Sequence, residues 1–152
     1  MKPDSGKRDN GAACMSGTTG MAWSVLTEIG QMLKTLAEKG KAGSIDLRSI
    51  PMTDADREHL ENILGRGEVR AELDLAGASE VWETAYAGVW WVRHRGAGNK
   101  IACEEIAVTP IPEILLTHPV DIEAAASRIQ QDLDSTDPHA QDREIELEAS
   151  NV

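Results

Sequence analysis

Residues 68–108 consist of alternating apolar and polar stretches separated by glycine-bearing loops, and this pattern restricts the fold more than any other feature. Val69, Ala71, Leu73 and Leu75 alternate with Glu68, Arg70, Glu72 and Asp74. That is the period of two of a half-buried antiparallel strand. Ala76-Gly77-Ala78-Ser79 reads as a loop. With Leu75 opposite Glu80, Leu73 faces Trp82, Ala71 faces Thr84 and Val69 faces Tyr86, so the apolar sides match and this register is expected. Gly88 interrupts the next stretch and predicts a bend or bulge. Val89–Arg95 and Lys100–Val108 then form a second hairpin around Gly96-Ala97-Gly98-Asn99.

Helical periodicity flanks this strand region. Ala22, Trp23, Leu26, Ile29, Leu33 and Leu36 recur at three- and four-residue steps and predict an amphipathic helix stopping near Gly40. Ile45–Arg48 alternates as a short strand would. Thr53 is a strong N-cap, with Asp54 and Asp56 well placed on the dipole of a second helix. That helix buries Ala55, Leu60, Ile63 and Leu64 and stops at Gly65. After Pro110 and Pro112, a helical turn at Glu113–Leu116 precedes a third helix. Thr117 is its expected cap, Pro119 fits its first turn, and Ile122, Ala125, Ala126 and Ile129 form its expected buried stripe. The fold class is therefore α+β: an antiparallel sheet of four to five strands with three helices packed mainly on one face.

The second hairpin separates two adjacent tryptophans. With Arg95 opposite Lys100, one face carries Trp90, Val92, His94, Ile101, Cys103 and Glu105, and is the expected core face. The other carries Trp91, Arg93, Arg95, Lys100, Ala102 and Glu104. Its charge predicts solvent, which makes Trp91 an exposed aromatic beside Arg93 and Glu104, the composition of an interface hot spot.

Charge sets further bounds. The chain has 26 acidic residues against 15 Lys and Arg, a formal net charge of −11. A nucleic-acid binder needs the opposite sign. No apolar run approaches the roughly 20 residues of a membrane span. Met1–Asn10 leads into no apolar segment of a secretion signal, so a cytoplasmic location is expected. Residues 131–152 carry seven acidic groups and one basic group. The expected organisation is a disordered leader over 1–20, one α+β domain over 21–132 and an acidic disordered tail over 133–152. Cys14 and Cys103 have no paired spacing and read as free thiols.

Reactive constellations are scarce. No nucleophile elbow, phosphate loop or metalloprotease helix occurs, and no cofactor is implied. Gly65-Arg66-Gly67 follows helix rather than strand and reads as a helix exit. His94, Cys103 and Glu105 share a hairpin face and are ligand types for nickel, iron or zinc, but no fourth ligand or supporting shell accompanies them. Cys103 reads equally well as a small hydrophobe. Glu104 and Glu105 point to opposite faces, so they form no acid/base pair. A non-enzyme is expected.

Sequence order adds a resemblance. Ile45-Asp46-Leu47-Arg48-Ser49-Ile50-Pro51, Leu64-Gly65-Arg66-Gly67-Glu68-Val69, Glu83-Thr84 with Gly88-Val89-Trp90-Trp91-Val92, and Glu105-Ile106 leading to Pro110-Ile111-Pro112-Glu113-Ile114-Leu115 fall in the order seen in the HupH/HyaF/HoxQ hydrogenase expression proteins. The chain resembles one conserved region of that family across residues 22–130. The resemblance implies an accessory protein in maturation of uptake [NiFe]-hydrogenase, an assembly chaperone acting on the immature iron–sulfur small subunit before export. It carries over no catalytic residue. The matching blocks contribute Glu83, Gly88, Pro110, Pro112 and Glu113 as partner-binding candidates beside Trp91, Arg93 and Glu104. Glu83, Glu104 and Glu113 would meet basic segments of the client, its twin-arginine export signal included. Other maturation factors are further expected partners, and a homodimer stands as an alternative assembly. The rival reading is a carrier or scaffold that delivers iron, nickel or an iron–sulfur unit through His94, Cys103 and Glu105.

Overall fold

The computed structural model describes residues 17–74, 77–136 and 149–150. Cys14, most of the expected leader and most of the expected tail lie outside those residues. The chain divides into two units, Met1–Pro112 and Glu113–Val152.

The first unit is a five-stranded antiparallel sheet with two helices on one face. In chain order it runs α1 (Met21–Lys39), β1 (Gly43–Asp46), α2 (Asp54–Leu64), β2 (Arg70–Asp74), β3 (Ala78–Glu83), β4 (Val89–Arg95) and β5 (Ile101–Val108). The sheet order is β1-β5-β4-β3-β2. Each element ends where local chemistry dictates. Gly40 closes α1 with φ 64°, and its N–H donates to the Leu36 carbonyl at 2.8 Å. Thr53 caps α2 in a reciprocal capping box with Asp56. The core joins Ala22, Val25 and Ile29 of α1 and Leu60 and Leu64 of α2 to Trp82, Val89, Trp91, Ile106 and Val108 of the sheet. Gly67 lies against β3: its N–H donates to the Glu83 carbonyl at 2.7 Å, and an added Cβ would meet the Thr84 carbonyl oxygen at 2.6 Å.

Two sheet expectations are corrected. In the β2–β3 hairpin Leu73 pairs with Ser79, Ala71 with Val81 and Arg70 with Trp82. The pairing is three residues tighter than the alternation suggested, and an odd slip moves Trp82 to the face opposite Ala71 and Leu73. Trp82 thereby stacks on Trp91 beneath the helices. In the β4–β5 hairpin the two tryptophan rows separate as expected, but Arg95 pairs with Ile101 rather than Lys100 and Arg93 with Glu104, and the helices cover the row of Trp91, Arg93 and Glu104. Trp91 and Glu104 are both 0% exposed. A charged row proved to be interior because its charges neutralise one another. On the opposite face Val81, Trp90 and Val92 are also buried. Trp90 Nε1 there donates to the Thr109 carbonyl at 3.0 Å.

The second unit contains a short 3₁₀ turn at Glu113–Leu115 and α3 (Pro119–Thr136). The ring of His118, rather than the expected Thr117, sits at the helix start, where its Nδ1 accepts from the Val120 N–H at 3.3 Å. The expected stripe is present but not buried. Ile122 is 57% and Ile129 61% exposed, and no residue of α3 is buried. The helix also runs through residues 133–136, which composition alone had assigned to the tail.

Thr19 and Thr53 fasten the start of the first unit to α2 through buried Asp56. The Thr19 N–H and hydroxyl donate to Asp56 Oδ1 and Oδ2 at 2.8 and 2.7 Å, and the Thr53 N–H and hydroxyl donate to Oδ2 at 3.1 and 2.9 Å. Burial by itself would raise the pKa of this carboxyl. The bonds from Thr19 and Thr53 outweigh it and hold the pKa down to about 2, from 3.8. A pKa lower in the folded state supplies stability that is complete above 3.8 and drains away as pH falls toward 2. Asp56→Asn is therefore expected to lower the urea midpoint at pH 6, with the gap to wild type closing as pH falls through this window. A gap that stays constant over the same range refutes the assignment.

Candidate functional site

Five charged side chains alternate in sign across the junction of α2 with β4 and β5. Arg66, in the exit loop of α2, donates from Nη2 to Glu61 Oε1 at 2.7 Å. Glu61 Oε2 accepts from Arg93 Nη2 at 3.1 Å, and Arg93 Nε donates to Glu104 Oε2 at 2.6 Å. Arg57 Nη1 approaches the other oxygen, Glu104 Oε1, at 3.6 Å. Helical spacing puts Arg57 and Glu61 on one side of α2 beside Leu60 and Leu64. Pairing of Arg93 with Glu104 across β4 and β5 puts those two below them.

The indoles form the floor. Trp82 and Trp91 stack with centroids 5.5 Å apart and an interplanar angle of 8°. The Arg66 guanidinium lies 4.2 Å over Trp82, and Arg93 lies 5.0 Å from the Trp82 centroid and 5.6 Å from that of Trp91. Each such cation–π contact contributes about 0.5–2 kcal/mol, depending on how far it is desolvated. Burial would by itself lower the pKa of Arg93. Hydrogen bonding and attraction from Glu104, then Glu61, reverse this and raise it, so the guanidinium is held in its charged form.

Above the network opens a cleft of about 530 Å³, lined by residues that include Asp54, Arg57, Glu58, Arg66 and Glu104. Glu104 is the one fully buried residue in that lining, and its Oε1 accepts no hydrogen bond among the described residues. Asp54 and Glu58 are exposed at its wall. Carboxylates engaged by guanidinium groups are set up to hold shape, which leaves the exposed Asp54 and Glu58 to receive a polar or cationic side chain.

The sequence-predicted residues divide. Trp91, Arg93 and Glu104 come together, but inside the fold, so Trp91 offers no exposed contact surface. Glu83 is half-buried on the opposite face, paired with Trp90. Gly88 forms the β3–β4 turn, where φ 81° requires glycine. Pro110 is exposed and Pro112 buried, while Glu113 belongs to the second unit. Arg57, Glu61, Arg66 and Trp82 were missed. The four-residue step from Arg57 to Glu61, bordering the Leu60/Leu64 stripe, was the available signal.

His94 and Cys103 are cross-strand partners, but His94 Nδ1 is hydrogen-bonded with Ser79 Oγ at 2.8 Å. Lost hydration, then the charges of Glu105 and Asp46, raise the pKa of the exposed Cys103 thiol, which disfavours the thiolate a metal needs. No group of three or more His, Cys, Asp or Glu among the described residues is placed to hold a metal ion. No helix among them is long and apolar enough to cross a membrane.

Fold and cleft define a small α+β module organised around an ion-paired centre of three arginines and two glutamates. Comparison with known proteins says which one. The chain belongs to the family of the HupH hydrogenase expression protein, C-terminal conserved region, whose model matches residues 20–136. It is 28% identical over 109 residues to the hydrogenase expression/formation protein HoxQ of Azotobacter vinelandii, covering 70% of this chain and 38% of that protein. It is 31% identical over 96 residues to HupH of Rhodobacter capsulatus, covering 63% of this chain and 35% of the relative. The solved hydrogenase expression protein HupH from Thiobacillus denitrificans superposes with a TM-score of 0.75 at 37% identity, covering 78% of this chain and 98% of that one. The chain thus spans less than two-fifths of the length of these curated relatives.

Removing one partner from a buried ion pair strands the other, at a cost of roughly 3–5 kcal/mol. Glu104→Ala is expected to destabilise by that amount in urea titrations, whereas Glu72→Ala, which breaks only the exposed pair with Arg70, is expected to cost less than about 1 kcal/mol. Equal effects of the two would remove Glu104 from the centre of the network.

Proposed function

We propose that this chain is a non-catalytic accessory protein of hydrogenase maturation that binds the immature iron–sulfur small subunit, with the α2 cleft as its contact. Membership of the hydrogenase expression protein family supports the pathway. The observation that carries the contact is the cleft itself, where the exposed carboxylates Asp54 and Glu58 stand above a buried carboxylate, Glu104, already paired with Arg93 and Arg57. A lysine or arginine of the client meets Asp54 and Glu58 at the rim, while Glu61 and Glu104 behind them stay paired with Arg66, Arg93 and Arg57. The net charge of −11 raises its rate of encounter with a basic segment.

The face that binds is therefore not the charged hairpin face read from alternation, which the helices cover. Arg93 and Glu104 hold the cleft open, while Asp54 and Glu58 meet the client. A cytoplasmic site of action follows from a client captured before export. Pull-down of the unprocessed small subunit separates the roles. Asp54→Lys with Glu58→Lys is expected to reduce capture at least tenfold without moving the urea midpoint by more than the effect of surface substitutions, about 0.5 kcal/mol each. Undiminished capture by a folded double variant refutes the cleft as the contact.

A further inference from the structure

The third helix presents an apolar seam that the described residues of its own unit do not cover. Ile122, Ala126, Ile129 and Leu133 follow steps of four, three and four residues, which place them in one line along α3. Ile122, Ile129 and Leu133 are 57%, 61% and 58% exposed. A lone helix of this length is marginal in water, and most of a helix's stability comes from burying its apolar face. An 18-residue helix with such a seam is built to be covered.

Charge identifies the occupant. Glu123 borders the seam on one side and Asp132 on the other. Over Pro119–Thr136 there are four acidic residues, Asp121, Glu123, Asp132 and Asp134, against Arg128 alone. Arg128 lies one turn before Asp132 on that edge, further from the seam, so the edge of Glu123 is the purely acidic one. A second copy of α3 would bring like charges edge to edge, and an anionic lipid surface would be repelled in the same way. A helix with apolar residues at matching spacing and Lys or Arg beside them meets both the seam and its edges.

We propose that α3 is a docking surface for a basic amphipathic helix of a partner protein, which lays its apolar face along Ile122, Ala126, Ile129 and Leu133 while its flanking cations pair with Glu123 and Asp132. The helix-in-groove mode supplies affinity through the seam, and the acidic edges supply selectivity and salt sensitivity. The surface shares no residue with the α2 cleft and is independent of the identity of the client.

The test uses the full chain and two synthetic 18-residue helical peptides with the same leucine seam, one flanked by lysines and the other by glutamates. Titration followed by anisotropy of the labelled peptide is expected to show binding of the lysine peptide, with at least tenfold weaker binding of the glutamate peptide. Ile129→Asp is expected to weaken the lysine peptide at least tenfold. Glu123→Lys with Asp132→Lys is expected to reverse the preference. The double variant keeps the seam, so a reversal separates charge recognition from general adhesion of apolar peptides. Equal binding of both peptides, an unchanged preference in the double variant, or a wild-type dimer in sedimentation that Ile129→Asp converts to monomer each overturns the proposal. Cleft variants Asp54→Lys and Glu58→Lys are expected to leave peptide binding within twofold of wild type, so failure here and failure of the cleft reading are told apart.

Discussion

Burial of Glu104 is the constraint around which the first unit is organised. A carboxylate with no exposure is costly unless paired and hydrogen-bonded. The fold meets that cost with Arg93 at 2.6 Å, and Arg93 in turn requires Glu61. Glu61 fixes α2 over the ends of β4 and β5, and Arg57 follows from the same helix. The exit of α2 must then carry Arg66 back over Trp82. Helix placement, hairpin register and the floor of the cleft are linked consequences of one buried charge.

By this linkage the contacts at residue 93 call for arginine rather than lysine. A single planar guanidinium donates through Nε to one carboxylate and through Nη2 to another while its face lies near two indoles. An ammonium is a point charge without a face or a fixed fork. The stacked indoles also account for the absence of Phe from the chain without loss of a packed core. Trp82 and Trp91 supply large buried area, and the aliphatic residues of α1 and α2 close over them.

The sequence was most legible where structure is set locally. Thr53, Asp56 and Gly65 bound α2 because a cap and a left-handed exit involve only near neighbours. The strand β4 was legible from its own alternation and the glycines around it. The interior face of that strand was not. Arg93 and Glu104 read as solvent-facing on any local criterion, and they become interior only because Arg57 and Glu61 arrive from a helix over thirty residues earlier in the chain. Register in the β2–β3 hairpin failed for a related reason, since Trp82 is drawn to Trp91 rather than to the apolar row of its own hairpin. For α3 the period was correct, but periodicity states that a stripe exists and not what lies against it.

The Thr53 hydroxyl lies 2.9 Å from both Asp56 Oδ2 and the Gly17 carbonyl, so one proton serves two acceptors. Thr53 directly precedes Asp54, which lines the cleft. Gly17 is therefore tied to the helix start that carries Asp54, and the edge of the cleft moves with it.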